Sequence, residues 1–211
     1  EIHVIPNFII PSEEGSSEYS QMRCKYAAPE EKILCHVSNF RKVKRVEDVV
    51  SVFAKVNEKI PSRLILVGDG PERHTIERMC REYGICSRVT FLGKVRDTSH
   101  VLEIADLFLL PSETESFGLA ALEAMAVGVP VISSNAGGIP EVNEHGVTGY
   151  LSNVGDVDDM AKNALEILGS EETLQTFKTN ARKRSHDFHL DKVLPMYEKL
   201  YNEVVIKPII R

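Results

Sequence analysis

Ile33–Pro71 reads ILCHVSNFRKVKRVEDVVSVFAKVNEKIPSRLILVGDGP, and its patterning decides the fold. Ile33 to Val37 is a short apolar run of strand length, while Val46, Val49, Val50, Phe53 and Val56 recur at helical spacing. Leu64 to Val67 is a second apolar run, stopped by Gly68-Asp69-Gly70-Pro71. Strand, helix and strand therefore follow one another, and the unit repeats downstream. A helix carries Ile76, Met79, Cys80 and Tyr83 on one face, and Arg88 to Leu92 reads as a third strand. Val101 to Ile104 forms a short helix and Leu107 to Leu110 a fourth strand, with a helix from Phe117 to Val127 after it. Val131 to Ser133 and Gly149 to Leu151 supply strands five and six. Strands that are apolar throughout are buried on both faces, which predicts an α/β, Rossmann-like doubly wound parallel sheet covered by helices. Two stripes, Val157/Met160/Ala161/Ala164/Leu168 and Val193/Tyr197/Leu200/Tyr201/Val204, add extra C-terminal helices.

The chain of 211 residues is 43% hydrophobic and 27% charged, the composition of an ordinary globular protein. Lys and Arg number 25 against 31 Asp and Glu, a net charge of −6 that argues against a general nucleic-acid surface. No apolar run is long enough to span a bilayer and no signal peptide opens the sequence, so a cytoplasmic location is the expectation. Cys24, Cys35, Cys80 and Cys86 fit no zinc spacing and read as buried thiols of a reducing compartment. His36 reads as a satisfied core histidine and His145 as a turn residue. The sequence begins at Glu1 with an extended apolar stretch, Ile2 to Ile10, as a piece of a longer chain would.

In an open parallel sheet, ligands bind beyond the carboxyl ends of the strands where strand order reverses, commonly between the first and fourth. The loop after the first strand, Ser38 to Arg45, holds four cations in five positions: Arg41, Lys42, Lys44 and Arg45. The loop after the fourth, Pro111 to Gly118, is acidic and runs into a helix whose first-turn amides at Phe117, Gly118 and Leu119 can hold a phosphate. Ser116 reads as the N-cap of that helix. Taken together, these loops predict a diphosphate site in which Arg41 and Lys44 face the helix N-terminus. Glu115 and Glu123, eight positions apart, read either as acceptors for vicinal hydroxyls of a sugar or ribose or as a charge complementing the helix N-terminus and a surface glutamate.

The run Glu115–Glu123 with Ala124–Ile132, followed by Gly137-Gly138-Ile139-Pro140-Glu141 and Gly146–Gly149, resembles the donor-binding domain of retaining GT-B glycosyltransferases of family GT4. Leu66–Pro71 and Phe91-Leu92-Gly93 resemble two further landmarks of that domain, and the likeness extends from Ile33 to about Val205. Within the family, Val37–Val49 resembles the members that glycosylate L-malate. The resemblance implies the C-terminal domain of a GT-B fold and a UDP-sugar donor, UDP-N-acetylglucosamine, for a small-molecule acceptor. It implies Glu123 on the ribose, Leu92, Gly93 and Lys94 at the base, and Glu115 on the transferred sugar. Phe117, Gly118, Leu119, Arg41 and Lys44 fall to the phosphates. Asn39 stands where the family places an arginine, so Asn39 and Arg41 are alternatives for one phosphate contact. No metal or other cofactor is implied.

The implied organisation is a connector at residues 1–31, with Pro6-Asn7 near a hinge, and a donor domain at 32–187. A C-terminal helix and tail, 188–211, would return toward an N-terminal acceptor domain, without which the chain binds donor and transfers nothing. Residues 12–31 are expected to hold a short helix around Tyr19–Tyr26. A non-catalytic nucleotide-sugar-binding module and a family member with another donor or acceptor are the alternative readings, and the oligomeric state is left open.

Overall fold

A computed structural model describes residues 2–10 and 22–206. Six strands, β1 (Lys32–Val37), β2 (Ser62–Val67), β3 (Val89–Gly93), β4 (Leu107–Leu110), β5 (Val131–Ser134) and β6 (Gly149–Ser152), form one sheet in the order β3-β2-β1-β4-β5-β6. All five pairings are parallel. The helices between them are α1 (Val46–Asn57), α2 (Arg73–Glu82), α3 (Ser99–Glu103), α4 (Leu119–Ala126) and α5 (Ile139–Val142). After β6 come α6 (Val157–Leu168), α7 (Glu171–Ser185) and α8 (Leu190–Ile206). The doubly wound parallel sheet expected from the sequence is the fold observed.

Period-two alternation within the strands builds two cores. Leu34, Leu64, Leu66, Leu107 and Leu109 pack with α1, α2 and α6 on one face. Their neighbours Ile33, Cys35, Ile65, Val67, Phe108 and Leu110 pack with α3, α4 and α5 on the other. With Ile33–Cys35 of β1, Leu64–Val67 of β2 and Leu107–Leu110 of β4 buried on both faces, sliding one of these strands by one residue would keep it largely apolar. Register is therefore held by the helices and loops as well as by hydrophobicity.

Several boundaries differ from expectation. The helix anticipated at Phe117 begins at Leu119, because Gly118 takes a left-handed conformation (φ 93°) and itself stands at the N-cap. The Gly137–Pro140 turn leads into a helical turn at Ile139–Val142. Helix α7 had no apolar stripe to announce it, since its core contacts are only Leu174, Phe177 and Ala181, with Ser185 also buried. Among the four cysteines Cys35 and Cys80 are buried, but Cys24 and Cys86 are exposed, which corrects the expectation of four buried thiols; no disulfide joins them. Of the short helix expected around Tyr19–Tyr26, residues 22–26 are described and close a helical turn, with Tyr26 N–H donating to Arg23 O at 3.0 Å, while residues 19–21 and the tail beyond Ile206 lie outside the described residues.

The amino-terminal segment is stitched to the start of α8. Ile9 N–H donates to Phe188 O and Leu190 N–H donates to Ile9 O, each at 3.0 Å, and the Ile9 side chain is buried. Ile2, His3, Val4 and Ile5 then line a groove with Met196, Lys199, Leu200 and Glu203 of α8. Ile2, Val4 and Met196 are exposed there, and Leu194 and Tyr201 are exposed elsewhere on α8. Among the described residues no helix is long and apolar enough to cross a membrane.

Candidate functional site

Strands β1 and β4 lie side by side, with Leu34 opposite Leu107 and Cys35 opposite Phe108. The chain leaving β1 goes to β2 on one side and the chain leaving β4 goes to β5 on the other. Their loops therefore diverge at the carboxyl edge and leave a crevice, which is where the two sequence-selected loops meet.

The loops are joined. Glu113 N–H donates to Val43 O at 2.8 Å, and Lys44 Nζ makes an ion pair with Glu115 Oε1, which also accepts from Ser112 Oγ at 3.1 Å. Both charged side chains are largely buried, so the pair is less exposed to solvent screening than an ordinary surface pair. The other cations of the loop have separate fates. Arg45, at a left-handed backbone position (φ 48°), turns back to Asp48 at 2.6 Å, and its guanidinium stands over Gly155. That hydrogen bond holds its pKa above the ordinary arginine value. Arg41 and Lys42 are exposed; the Arg41 carbonyl accepts from Lys44 N–H at 2.8 Å, while its guanidinium makes no hydrogen bond or ion pair with a described residue.

Across the crevice, α4 begins without a side-chain cap, and its first intrahelical bond is Leu122 N–H to Gly118 O at 3.0 Å. Ser116 does not cap the helix, contrary to the sequence expectation, because the left-handed turn at Gly118 intervenes. The first-turn amides are those of Leu119, Ala120 and Ala121, so Phe117 and Gly118 precede the helix and Leu119 opens it. Phe117 packs edge-on against Phe188 at 5.6 Å. Glu123 lies on the second turn, half-buried, its carboxylate making no hydrogen bond or ion pair with a described residue, and burial raises that carboxyl above its ordinary value. Leu92, Gly93 and Lys94 sit at the end of β3, two strands from β1 along the same edge, with Lys94 exposed. Asn39 is exposed at the head of the cationic loop.

Glycines that punctuate the sequence as turns brace both loops. A Cβ on Gly68 would lie 1.7 Å from Ser38 O, and one on Gly70 would lie 2.2 Å from Asn39 O. On the other side a Cβ on Gly137 would lie 1.9 Å from Glu115 O, and one on Gly138 would lie 2.2 Å from Ser116 O. Gly138 N–H also donates to Glu115 O at 2.9 Å. The sequence signal was the position of each glycine pair in the loop after a strand, Gly68 directly after β2 and Gly137 after β5, beyond Asn135 and Ala136.

Beneath the crevice, His36 is fully buried in β1. A carbonyl only accepts, so the 2.8 Å contact with Leu109 O places the proton on Nδ1. Nε2 then accepts from Ser38 Oγ at 2.7 Å, and Ser38 Oγ accepts from Phe40 N–H at 3.3 Å. Desolvation pushes the imidazole pKa down to about 4, keeping it neutral, while the charges of Lys44 and Glu115 act on it in opposite senses. It is a satisfied core residue, and His145 bridges to Gly149 just before the turn at residues 146–148, accepting from Leu151 N–H at 3.1 Å.

A cleft of about 590 Å³ lies at the amino edge between α7 and the Val127–Val129 turn. Two of its cations serve the fold: Lys178 pairs with Asp106 and Arg182 donates to Val127 O.

A family model described as glycosyl transferases group 1 matches residues 20–184. The chain belongs to that family. This glycosyltransferase chain is 45% identical over 207 residues to N-acetyl-alpha-D-glucosaminyl L-malate synthase of Bacillus anthracis, covering 97% of the chain and 54% of that relative. It is 31% identical to sulfoquinovosyl transferase SQD2 of Arabidopsis thaliana over 82% of the chain and 33% of that relative. Among solved structures, sucrose-phosphate synthase of Thermosynechococcus elongatus superposes with a TM-score of 0.85 at 28% identity, over 96% of this chain and 52% of that one. Anabaena HepE, solved in complex with UDP and glucose, gives a TM-score of 0.81 at 26% identity, over 90% and 53%. The fold is thus that of a GT-B glycosyltransferase domain. The chain spans about half the length or less of these relatives.

Proposed function

We propose that this chain is the donor-binding half of a retaining glycosyltransferase that takes UDP-N-acetylglucosamine and serves transfer to a small acceptor of the L-malate class, the first step of bacillithiol biosynthesis. The observation that carries the reading is the contrast between the two glutamates of the E-x7-E run. Glu115 is held at the crevice by Lys44 and Ser112, whereas the half-buried Glu123 carboxylate has no partner among the described residues. A carboxylate kept partly from water without a donor is a ready acceptor for a pair of ribose hydroxyls. Leu92, Gly93 and Lys94 would meet the uracil.

In this reading the diphosphate lies between Arg41 and Lys44 on one side and the uncapped start of α4 on the other. Phe117, Gly118 and Leu119 lead the backbone into that helix start. As the glycosidic bond breaks, negative charge grows on the leaving UDP. Fixed cations and helix amides then favour the transition state over the ground state without having to reorganise. Metal independence is part of the proposal, the two cations taking the charge-neutralising role. Glu115, already oriented by Lys44, would accept from a hydroxyl of the transferred sugar, and Asn39 is available to the phosphates or the sugar from the head of the loop. No carboxylate nucleophile is assigned.

The domain division proposed is a connector at 1–31, a donor domain at 32–187 and a returning segment at 188–211. The groove between Ile2–Ile5 and α8 supports that division, as its exposed apolar side chains form a surface suited to an acceptor domain. A cytoplasmic enzyme follows from the same reading. Transfer of N-acetylglucosamine from UDP-N-acetylglucosamine to L-malate by the full-length protein tests it directly; absence of turnover with L-malate but turnover with another hydroxylated acceptor would relocate the acceptor assignment alone.

A further inference from the structure

The cationic loop owes its shape to a chain of interactions that starts in the core. His36 spans the switch point, donating from Nδ1 to Leu109 O of β4 while its Nε2 accepts the Ser38 hydroxyl. With that proton committed, the Ser38 oxygen lone pairs face Phe40 N–H. Phe40 is fully buried, stacks on His36 at 6.4 Å between ring centroids, and takes a positive φ of 35°, rare for a bulky residue. Its carbonyl then accepts from Glu72 N–H at 3.1 Å. The strained turn at Phe40 is what brings Arg41 out of the core and starts the tight turn Lys42–Lys44, from which Lys44 reaches Glu115.

We infer that His36 and Ser38 are positioning residues that fix the phosphate-facing loop through the Leu109–His36–Ser38–Phe40 hydrogen-bond chain. The inference rests on the donor-site reading above for its ligand, but not for its effect on the loop. Ser38 acts through its one hydroxyl, which must be donor to the ring and acceptor from the backbone at once. Alanine removes both functions, and threonine keeps both.

The test compares Ser38→Ala and Ser38→Thr in the 211-residue chain. Two readouts are needed: trypsin cleavage within Arg41–Arg45 under native conditions, and calorimetric titration with UDP and with uridine. Ser38→Ala is expected to speed cleavage several-fold and to weaken UDP about tenfold, with uridine unchanged and Ser38→Thr within about twofold of wild type. Unchanged cleavage in Ser38→Ala overturns the positioning role, as does an equal loss of UDP and uridine, which would signal general damage. If wild type itself ignores UDP, the donor reading fails, and the cleavage comparison alone decides the role of Ser38.

Discussion

The two halves of the sheet use one device with opposite charge. On the β1/β2 side a cationic loop is clasped by Gly68 and Gly70; on the β4/β5 side an acidic loop is clasped by Gly137 and Gly138. In each case backbone carbonyls of the site loop sit where a Cβ would be, so loop and glycine pair must be laid down together. The halves differ in how they hold their functional groups. The first presents side chains on a strained turn anchored by a buried histidine, and the second presents a helix start and two glutamates. Backbone amides on a packed helix are fixed by the fold, whereas arginine and lysine must be aimed. The cationic side is therefore the half that needs a positioning chain.

Substitution of the clasps should break both halves hardest. Gly68→Ala and Gly137→Ala each force a side chain into a left-handed backbone and into a carbonyl, and a loss of about 4 kcal/mol or more is expected in urea unfolding. Gly146→Ala has a positive φ but open space around it, and should cost only about 1–2 kcal/mol. Similar losses for all three would show that backbone strain, not loop packing, sets the cost.

Removing cations from the first half should separate fold from site. Lys44→Ala leaves Glu115 largely buried without its cation and should lower stability by about 1–2 kcal/mol as well as UDP affinity. Arg41→Ala should leave stability within about 0.5 kcal/mol and weaken UDP about tenfold. Equal UDP affinity for Arg41→Ala and wild type would pass the phosphate role to Asn39.

A pH series sharpens the same contrast. The folded pKa of His36, about 4, lies below that of a free imidazole, so the unfolded chain takes up the proton first. Stability should therefore fall as pH drops from about 6.5 toward 4, by up to about 1.4 kcal/mol per pH unit from this group. His189, also lowered by burial and by His186, adds in the same sense. Subtracting the pH profile of His36→Gln isolates the buried ring; identical profiles would remove it from the account.

In the second half, Glu123→Ala is expected to weaken UDP and UDP-N-acetylglucosamine alike, by about tenfold. Glu115→Ala should spare UDP and harm only sugar-dependent binding. A large loss with UDP alone would contradict the role given to Glu115.

Much of this was legible in the chain because it is local. Apolar runs give parallel strands, and the strand order of a doubly wound sheet points to the loops after β1 and β4 before any coordinate is known. What was not legible depends on contacts between distant residues. Ser116 has the chemistry of an N-cap, but the left-handed turn at Gly118 takes that place. Three apolar residues in the fifteen of Glu171–Ser185 mark no stripe, yet they suffice to dock α7. The bracing role of Gly68 and Gly137 needs knowledge of which carbonyl lies opposite, and the histidine chain needs Leu109 O beside β1.

The central claim is a metal-free uridine-diphosphate site between the two halves, and calorimetric titration of the chain with UDP, UDP-N-acetylglucosamine and ADP in the presence of a chelator tests it most directly. Saturable binding of both uridine ligands with none of ADP is the predicted result. Binding that vanishes with the chelator, or that fails to distinguish UDP from ADP, would contradict it.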